Sequence, residues 1–333
     1  MKILVVGPAW VGDMVMAQAL FRHLAARHPG AAIDVLAPAW TFPLLSRMPE
    51  VRRPIEMPLG HGQLGLGVRR ALGRALRPEG YDWAICLPLT WKSALVPFHA
   101  RIPRRTGYWG EFRLGLLNDR RRLRAAPATM VGRYLALGQN PGAPLPDPIP
   151  RPRLVVDPAD QVRALERLGL APDGGPLLAL CPGAEYGPAK RWPVAHFAAV
   201  ARHWLERGGR VWIFGGDKDA PLGEAILEAA PGAVNLAGRT RLPEAIDLLA
   251  LADAVVSNDS GLMHVAAALK RPLVALYGSS TPDYTPPLSD RARILSLNLP
   301  CSPCFQRQCP QGHTRCLTEL APERVIAALE ASP

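Results

Sequence analysis

The chain has 333 residues, 48% of them hydrophobic and 20% charged, which suits a soluble globular protein with room for two cored domains. No apolar run approaches the roughly 18 residues that cross a bilayer, and the first residues carry no signal-peptide pattern, so the chain reads as cytoplasmic. The net charge of +11 is uneven: residues 1–155 hold 22 Lys+Arg against 9 Asp+Glu, and the remainder 17 against 19. That asymmetry points to an anionic partner for the first half (nucleic acid, an anionic membrane surface or a phosphorylated substrate), unless it only follows the arginine usage of a GC-rich genome.

Residues 2–6 read as a buried strand and 12–27 as a helix, joined through "VVGPAWVGDMVM". The glycine spacing there is not G-x-G-x-x-G, and Asp13 stands where a phosphate would want bare N–H groups. By position alone Asp13 is a helix cap or a first-turn acid, with Gly7 and Gly12 shaping a tight strand-to-helix turn. "AAIDVLAP" (31–38) and "DWAICLP" (82–88) read as further strands, and strands alternating with helical patterns predict a parallel α/β sheet. "NPGAPLPDPIPRPRLVVDP" (140–158) holds seven prolines, which forbid regular helix and make a stiff linker. The boundary falls there, giving domains 1–150 and 151–333. The alternation then restarts, with strands at 176–182, 210–216, 253–259 and 272–278 and helices at 193–207, 220–229, 243–252 and 261–269. "APERVIAALEAS" closes the chain as an amphipathic helix with Pro322 in its first turn.

Four segments carry chemistry. "VVSNDSGLMHVAAAL" (255–269) ends an apolar strand in Asn258-Asp259-Ser260-Gly261 and starts a helix at once, a geometry that suits a phosphate on the first helical N–H groups. Asp259 and Ser260 equally fit plain N-caps, and His264, one turn in, faces the same opening. "CPGAEYGPAKRWP" (181–193) is a loop at a strand's carboxyl end, where open α/β sheets bind ligands; it contains Gly183, Glu185 and Lys190. Lys190 is one of five lysines in an arginine-rich chain, and its ammonium suits a departing phosphate, although a solvated surface lysine is the simpler reading. "FGGDKD" (214–219) adds Gly215 and Gly216, a weaker signal for nucleotide approach. "RIPRRTGYWGEFRLGLLNDRRRLR" (101–124) holds eight arginines, among them Arg101, Arg104, Arg105 and Arg120, suited to a bidentate grip on phosphate or carboxylate, or to a solvated face. Aromatics are 6% of the chain and no RNA-binding signature is present, so nucleic acid is not the expected partner. Cys301, Cys304, Cys309 and Cys316, spaced C-x2-C-x4-C-x6-C around His313, predict a structural zinc site ahead of disulfides or free thiols, while Cys86 and Cys181 read as buried strand residues.

The stretches "GPAWVGDMVMAQAL", "DVLAPAW", "LLSRMPEV", "MPLGHG", "KSALVPF", "CPGAEYGPAKRWP" and "NDSGLMHVAAALKRPLVALYG" together resemble the lipopolysaccharide heptosyltransferases of glycosyltransferase family nine, the branch that adds the second core heptose. The resemblance implies a GT-B fold, two Rossmann-like domains facing a central cleft, with the acceptor on the N-terminal domain and ADP-heptose on the C-terminal one. In such a fold the last helix can pack back on the N-terminal domain. It implies transfer, with anomeric inversion, from ADP-L-glycero-β-D-manno-heptose to the first heptose of phosphorylated Kdo2-lipid A at the anionic inner face of the inner membrane of a Gram-negative bacterium. Asp13 is the implied general base. Lys190 is placed on the donor phosphates, Asp259 and His264 near heptose and pyrophosphate, and the N–H groups of Ser260, Gly261, Leu262 and Met263 near the phosphates. No cofactor is expected for the reaction, and the arginines of 101–124 become candidates for the anionic acceptor.

Overall fold

The computed structural model describes residues 1–60, 62–171 and 174–331. His61, within the "MPLGHG" resemblance, lies outside them, as do the last two residues of the C-terminal domain. The chain divides into two compact units, Met1–Pro152 and Arg153–Pro333, the division falling inside the proline-rich stretch.

The first unit runs β1 (Lys2–Val6), α1 (Val11–Arg27), β2 (Ala32–Ala37), α2 (Phe42–Leu45), β3 (Val51–Glu56), α3 (Leu66–Ala75), β4 (Trp83–Cys86), α4 (Leu95–His99), β5 (Arg104–Tyr108), β6 (Asp119–Arg121) and α5 (Met130–Leu137). Its six strands are all parallel, in the order β3-β2-β1-β4-β5-β6. One face of the sheet buries Leu4, Val6, Leu36, Ala84 and Cys86 against Tyr81, Ala94 and Val96. Helix α1 is buried without a break from Met14 to Phe21 because the sheet covers one side and α5 packs on it from another. Gly12 is the second residue of α1 and not part of the turn, which comprises residues 7–10. Gly7 is needed there, since a Cβ would sit 2.7 Å from Met14 Cε and 3.1 Å from Val35 Cγ1.

Asp34 shows why this sheet is not a dinucleotide fold despite its order. In that fold an acid about 20 residues past the glycine loop faces the ribose. Here Asp34 is fully buried on β2, accepting from Arg52 Nε at 2.7 Å, Arg53 Nε at 3.1 Å and the Tyr81 hydroxyl at 2.5 Å. Its carboxylate is committed to the sheet edge, and these donors outweigh the burial that would otherwise raise its pKa.

The second unit runs α6 (Pro158–Leu168), β7 (Leu177–Cys181), α7 (Val194–Glu206), β8 (Arg210–Ile213), α8 (Ala220–Ala229), β9 (Val234–Asn235), α9 (Leu242–Leu249), β10 (Ala254–Asn258), α10 (Gly261–Ala268), β11 (Leu273–Leu276), β12 (Ala292–Leu295), α11 (Arg315–Thr318) and α12 (Pro322–Glu330). Its parallel sheet, β12-β11-β10-β7-β8-β9, repeats the first unit's order. The core gathers Leu178, Leu180, Val211, Ile213, Val256 and Val274 against Trp192 and Phe197, whose rings meet edge to face at 4.9 Å. The apolar stripe of helix α12, Val325, Ala328 and Leu329, joins this core, against α7 and β11. Spacing at i, i+3 and i+4 makes one buried face, and that face is already covered.

Candidate active site

Open parallel sheets bind ligands beyond the carboxyl ends of their strands, at the point where the strand order reverses. In the second unit that point lies between β7 and β10. The loop leaving β7 carries Gly183, Glu185 and Lys190, and the turn leaving β10 carries Asp259, Ser260 and Gly261. The two are joined directly, because the Lys190 ammonium donates to Asp259 Oδ2, the oxygen that also accepts from the Ser280 hydroxyl at 2.5 Å. Asn258 stitches the backbone beneath them, taking Trp192 N–H on Oδ1 at 3.1 Å and giving Nδ2–H to Pro182 O at 2.7 Å. The Tyr186 ring lies 5.2 Å under the Lys190 ammonium and is held by its hydroxyl on Phe305 O at 2.7 Å. Lys190 is therefore a partly buried, fixed charge and not a solvated surface lysine.

Asp259 does not cap the following helix. Ser260 is extended, with φ −145° and ψ 174°, and makes no side-chain cap bond, so no capping side chain takes the first N–H groups of α10. An oxyanion laid there would meet aligned N–H groups and the positive end of the helix dipole. Leu262 is half-buried and Met263 fully buried, so Met263 offers only its N–H and its side chain belongs to the core. His264 is 5% exposed, and its imidazole is pushed down to about 4 by burial, with Asp259 acting against the shift and Lys190 adding to it. It is a neutral hydrogen-bonding group at neutral pH.

The glycines behave differently from expectation. A Cβ on Gly183 would lie 2.3 Å from Asp219 Oδ2, and one on Gly215 2.6 Å from Asp219 Cβ. Both are small to admit Asp219, whose carboxylate in turn accepts Gly216 N–H at 3.1 Å. Gly216 alone of the three faces open space. Glu185 is exposed and paired with Lys218 at 2.8 Å.

In the first unit the order reverses between β1 and β4, and the turn leaving β1 delivers Asp13, the third residue of α1 and half-buried. The N-cap Trp10 provides no side-chain cap. Trp10 and Trp40 are both about half exposed, at 47% and 52%, and Trp40 Nε1 donates to Ala9 O at 3.1 Å, fastening the second indole to the turn before Asp13. Motif reading missed these indoles; their signal is a tryptophan just past the carboxyl end of each of two adjacent strands.

The arginines of 101–124 do not form one surface. Arg101, Arg104 and Arg105 lie where the chain enters β5, at the amino edge of the sheet, away from Asp13. Arg104 pairs with Asp119 at 3.0 Å and stacks 4.0 Å over Trp83. Arg105 gives Nε to Leu116 O at 2.7 Å and Nη1 to Ile102 O at 2.6 Å. Arg120 is exposed and lies 4.7 Å over Trp109, the residue that follows β5 at the carboxyl edge. Charge density along the sequence does not tell the start of a strand from its end.

The four thiols border one small cavity, and Cys316 is pushed up by burial and by Cys301, Cys304 and Cys309. Yet among the described residues no three His, Cys, Asp or Glu side chains converge closely enough to hold a metal ion. Backbone N–H groups of Thr314, Gln311, His313 and Gly312 turn to the Cys309 sulfur, Thr314 foremost, and hold that thiol below its ordinary range. His313 takes Arg315 N–H on Nδ1 at 3.1 Å. Cys86 and Cys181 are fully buried, as expected, and burial pushes both up to about 12.

The sequence profile described as Glycosyltransferase family 9 (heptosyltransferase) matches residues 69–315. The chain belongs to this family. Lipopolysaccharide heptosyltransferase 2 of Escherichia coli is 50% identical over 99% of this chain and 98% of its own. Lipooligosaccharide heptosyltransferase 2 of Haemophilus influenzae is 51% identical over 89% of each. The solved E. coli ADP-heptose LPS heptosyltransferase II superposes with a TM-score of 0.88 at 48% identity, over 99% of this chain and 98% of that one. E. coli heptosyltransferase WaaC with ADP, at 21% identity and a TM-score of 0.75 over the whole of both chains, shares the fold. This family 9 member is therefore a glycosyltransferase of GT-B type, acting in heptose transfer for the lipopolysaccharide inner core.

Proposed function

We propose that the chain moves L-glycero-D-manno-heptose from ADP-heptose to the first heptose of phosphorylated Kdo2-lipid A, inverting the anomeric carbon. The observation that carries this reading is the cradle at the order-reversal point of the second sheet. Lys190, fixed by Asp259 and Tyr186, and the uncapped start of α10 form a rigid set of donors for a diphosphate. The relatives named for heptose transfer supply the identity of the sugar.

Each unit contributes one half of the reaction. As the acceptor oxygen attacks C1 of the donor heptose, its proton passes to the Asp13 carboxylate. The bond between C1 and the β-phosphate oxygen breaks through an oxocarbenium-like state, and its electron pair leaves with ADP. The Lys190 ammonium and the α10 N–H groups stabilise the charge that grows on that phosphate. Neutral His264 supplies hydrogen bonding beside it, and Arg120 with Trp109 meets the anionic, sugar-bearing acceptor. In this reading the step calls for no cofactor. No described helix is long and apolar enough to cross a membrane; we place the enzyme peripherally at the inner face of the inner membrane, where a lipid-linked acceptor is presented.

The test is an acceptor panel read by mass spectrometry. With ADP-heptose, the expected product forms on heptosyl-Kdo2-lipid A and neither on Kdo2-lipid A nor without acceptor. Equal transfer to Kdo2-lipid A, acceptor-independent ADP release, or turnover of another nucleotide sugar overturns the assignment.

A further inference from the structure

The corner between α3 and α4 carries a charge cluster that the transfer chemistry does not use. Arg70 and Arg74 stand one turn apart on α3, Arg77 follows its end, and Arg101 and Arg105 flank the entry to β5. With Phe98 and His99 of α4 they line one open cavity of about 490 Å³. Among the described residues no carboxylate lines it, and no ion pair neutralises Arg70, Arg74, Arg77 or Arg101.

Like charges at i, i+4 on a helix repel, and here other guanidiniums crowd the same space. The His99 imidazole is held below its ordinary range by burial and then by Arg70, Arg74 and Arg77. Part of the cluster is nonetheless built. Arg77 Nε donates to His99 O at 2.8 Å, and Arg105 is fixed on two carbonyls, 5.8 Å from the Phe98 ring. Arg70, Arg74 and Arg101 are exposed, with their forks available to a ligand. Planar guanidiniums converging on one concave space match phosphate oxygens. The exposed Phe98 beside them suits the level of lipid headgroups.

Topology separates this basin from the catalytic turn. Helices α3 and α4 end at the amino edge of the parallel sheet, whereas Asp13 follows the carboxyl end of β1. A phosphate bound in the basin is therefore not the group that reacts.

We propose that the basin is a headgroup site: it takes the phosphate of an anionic lipid and seats the first unit on the membrane. The inference rests on the lipid-linked acceptor proposed above. Each arginine near an anionic surface contributes about as much as one lysine in a polybasic segment. Arg70→Gln/Arg74→Gln is thus expected to lose about thirtyfold in vesicle affinity, roughly 2 kcal/mol at 1.4 kcal/mol per tenfold.

The experiment has three arms. Full-length wild type and the double variant are sedimented, without substrates, on phosphatidylcholine vesicles with and without phosphatidylglycerol. Both are assayed for transfer to a deacylated, water-soluble acceptor, and both are titrated with pyrophosphate. The expected result is binding only to phosphatidylglycerol vesicles, weakened about thirtyfold in the variant, with kcat/KM on the soluble acceptor unchanged. Equal vesicle binding by both proteins, loss of transfer to the soluble acceptor in the variant, or pyrophosphate binding that the variant loses without any vesicle binding by wild type overturns the proposal. Absence of transfer by wild type sinks the functional reading and leaves the substrate-free vesicle result to be judged separately.

Discussion

Lys190→Met removes the ammonium and keeps most of the aliphatic stem. In the structure that ammonium faces a carboxylate only 5% exposed, while Lys190 itself is 17% exposed. Breaking a buried ion pair by deleting one partner costs about 3–5 kcal/mol, and the partial exposure of Lys190 favours the lower end. Asp259 would keep the Ser280 hydroxyl as its remaining side-chain donor. For a unit spanning residues 153–333, each kcal/mol moves the melting temperature by roughly 2–4 °C, so a drop of about 6–12 °C is expected. Turnover should also fall, by about 10²–10³, the usual effect of removing one preorganised donor from a developing anion. Adding Asp259→Asn removes the orphaned charge and should recover most of the melting loss but none of the turnover. Thermal unfolding and ADP release measured on the same three proteins separate the two effects. A Lys190→Met protein that melts within about 2 °C of wild type and turns over normally refutes the reasoning, as does a double variant that regains activity.

His264 predicts an acid-sensitive fold. Its imidazole protonates near 4 when folded and near 6.5 when unfolded, so above pH 6.5 both states are neutral and it contributes no slope. Below that the unfolded chain binds the extra proton, and stability is lost as pH falls from 6.5 towards 4, by about 3 kcal/mol in all. Urea midpoints at pH 7, 6 and 5 should flatten in His264→Gln; an unchanged slope would show that His264 is not its source. Gly183→Ala drives a methyl into the Asp219 carboxylate and should cost about 1–3 kcal/mol and raise the donor KM. An unchanged melting temperature and KM would mean that Asp219 moves freely. Asp34→Ala strips the acceptor from Arg52, Arg53 and Tyr81 and should lower urea stability by about 3–5 kcal/mol, without changing donor binding. Altered donor binding would contradict its purely structural role.

The two doubly wound units were legible because parallel strands buried on both faces read as short apolar runs, as in β1, β4, β7, β10 and β11. The strands on the β6 side of the first sheet were not. β5 and β6 are written in arginine and aspartate, since their charges pair with one another and stack on Trp83. The loops carrying Lys190 and Asp259 could be placed at strand ends from glycine, proline and apolar spacing. Their direct bond could not, because residues 69 apart meet only through the β7–β10 pairing. The same limit hid Ser280 and Asp219, which reach the site from other strands. Cysteine spacing cannot show where a sulfur points, and Cys309 turns to its own backbone.

The most direct test of the account is heptose transfer by Asp13→Asn at saturating ADP-heptose, with the donor Kd measured on the same sample. The account predicts a donor Kd within about twofold of wild type and turnover lower by at least about a hundredfold, as befits loss of a general base. Near-normal turnover would contradict it.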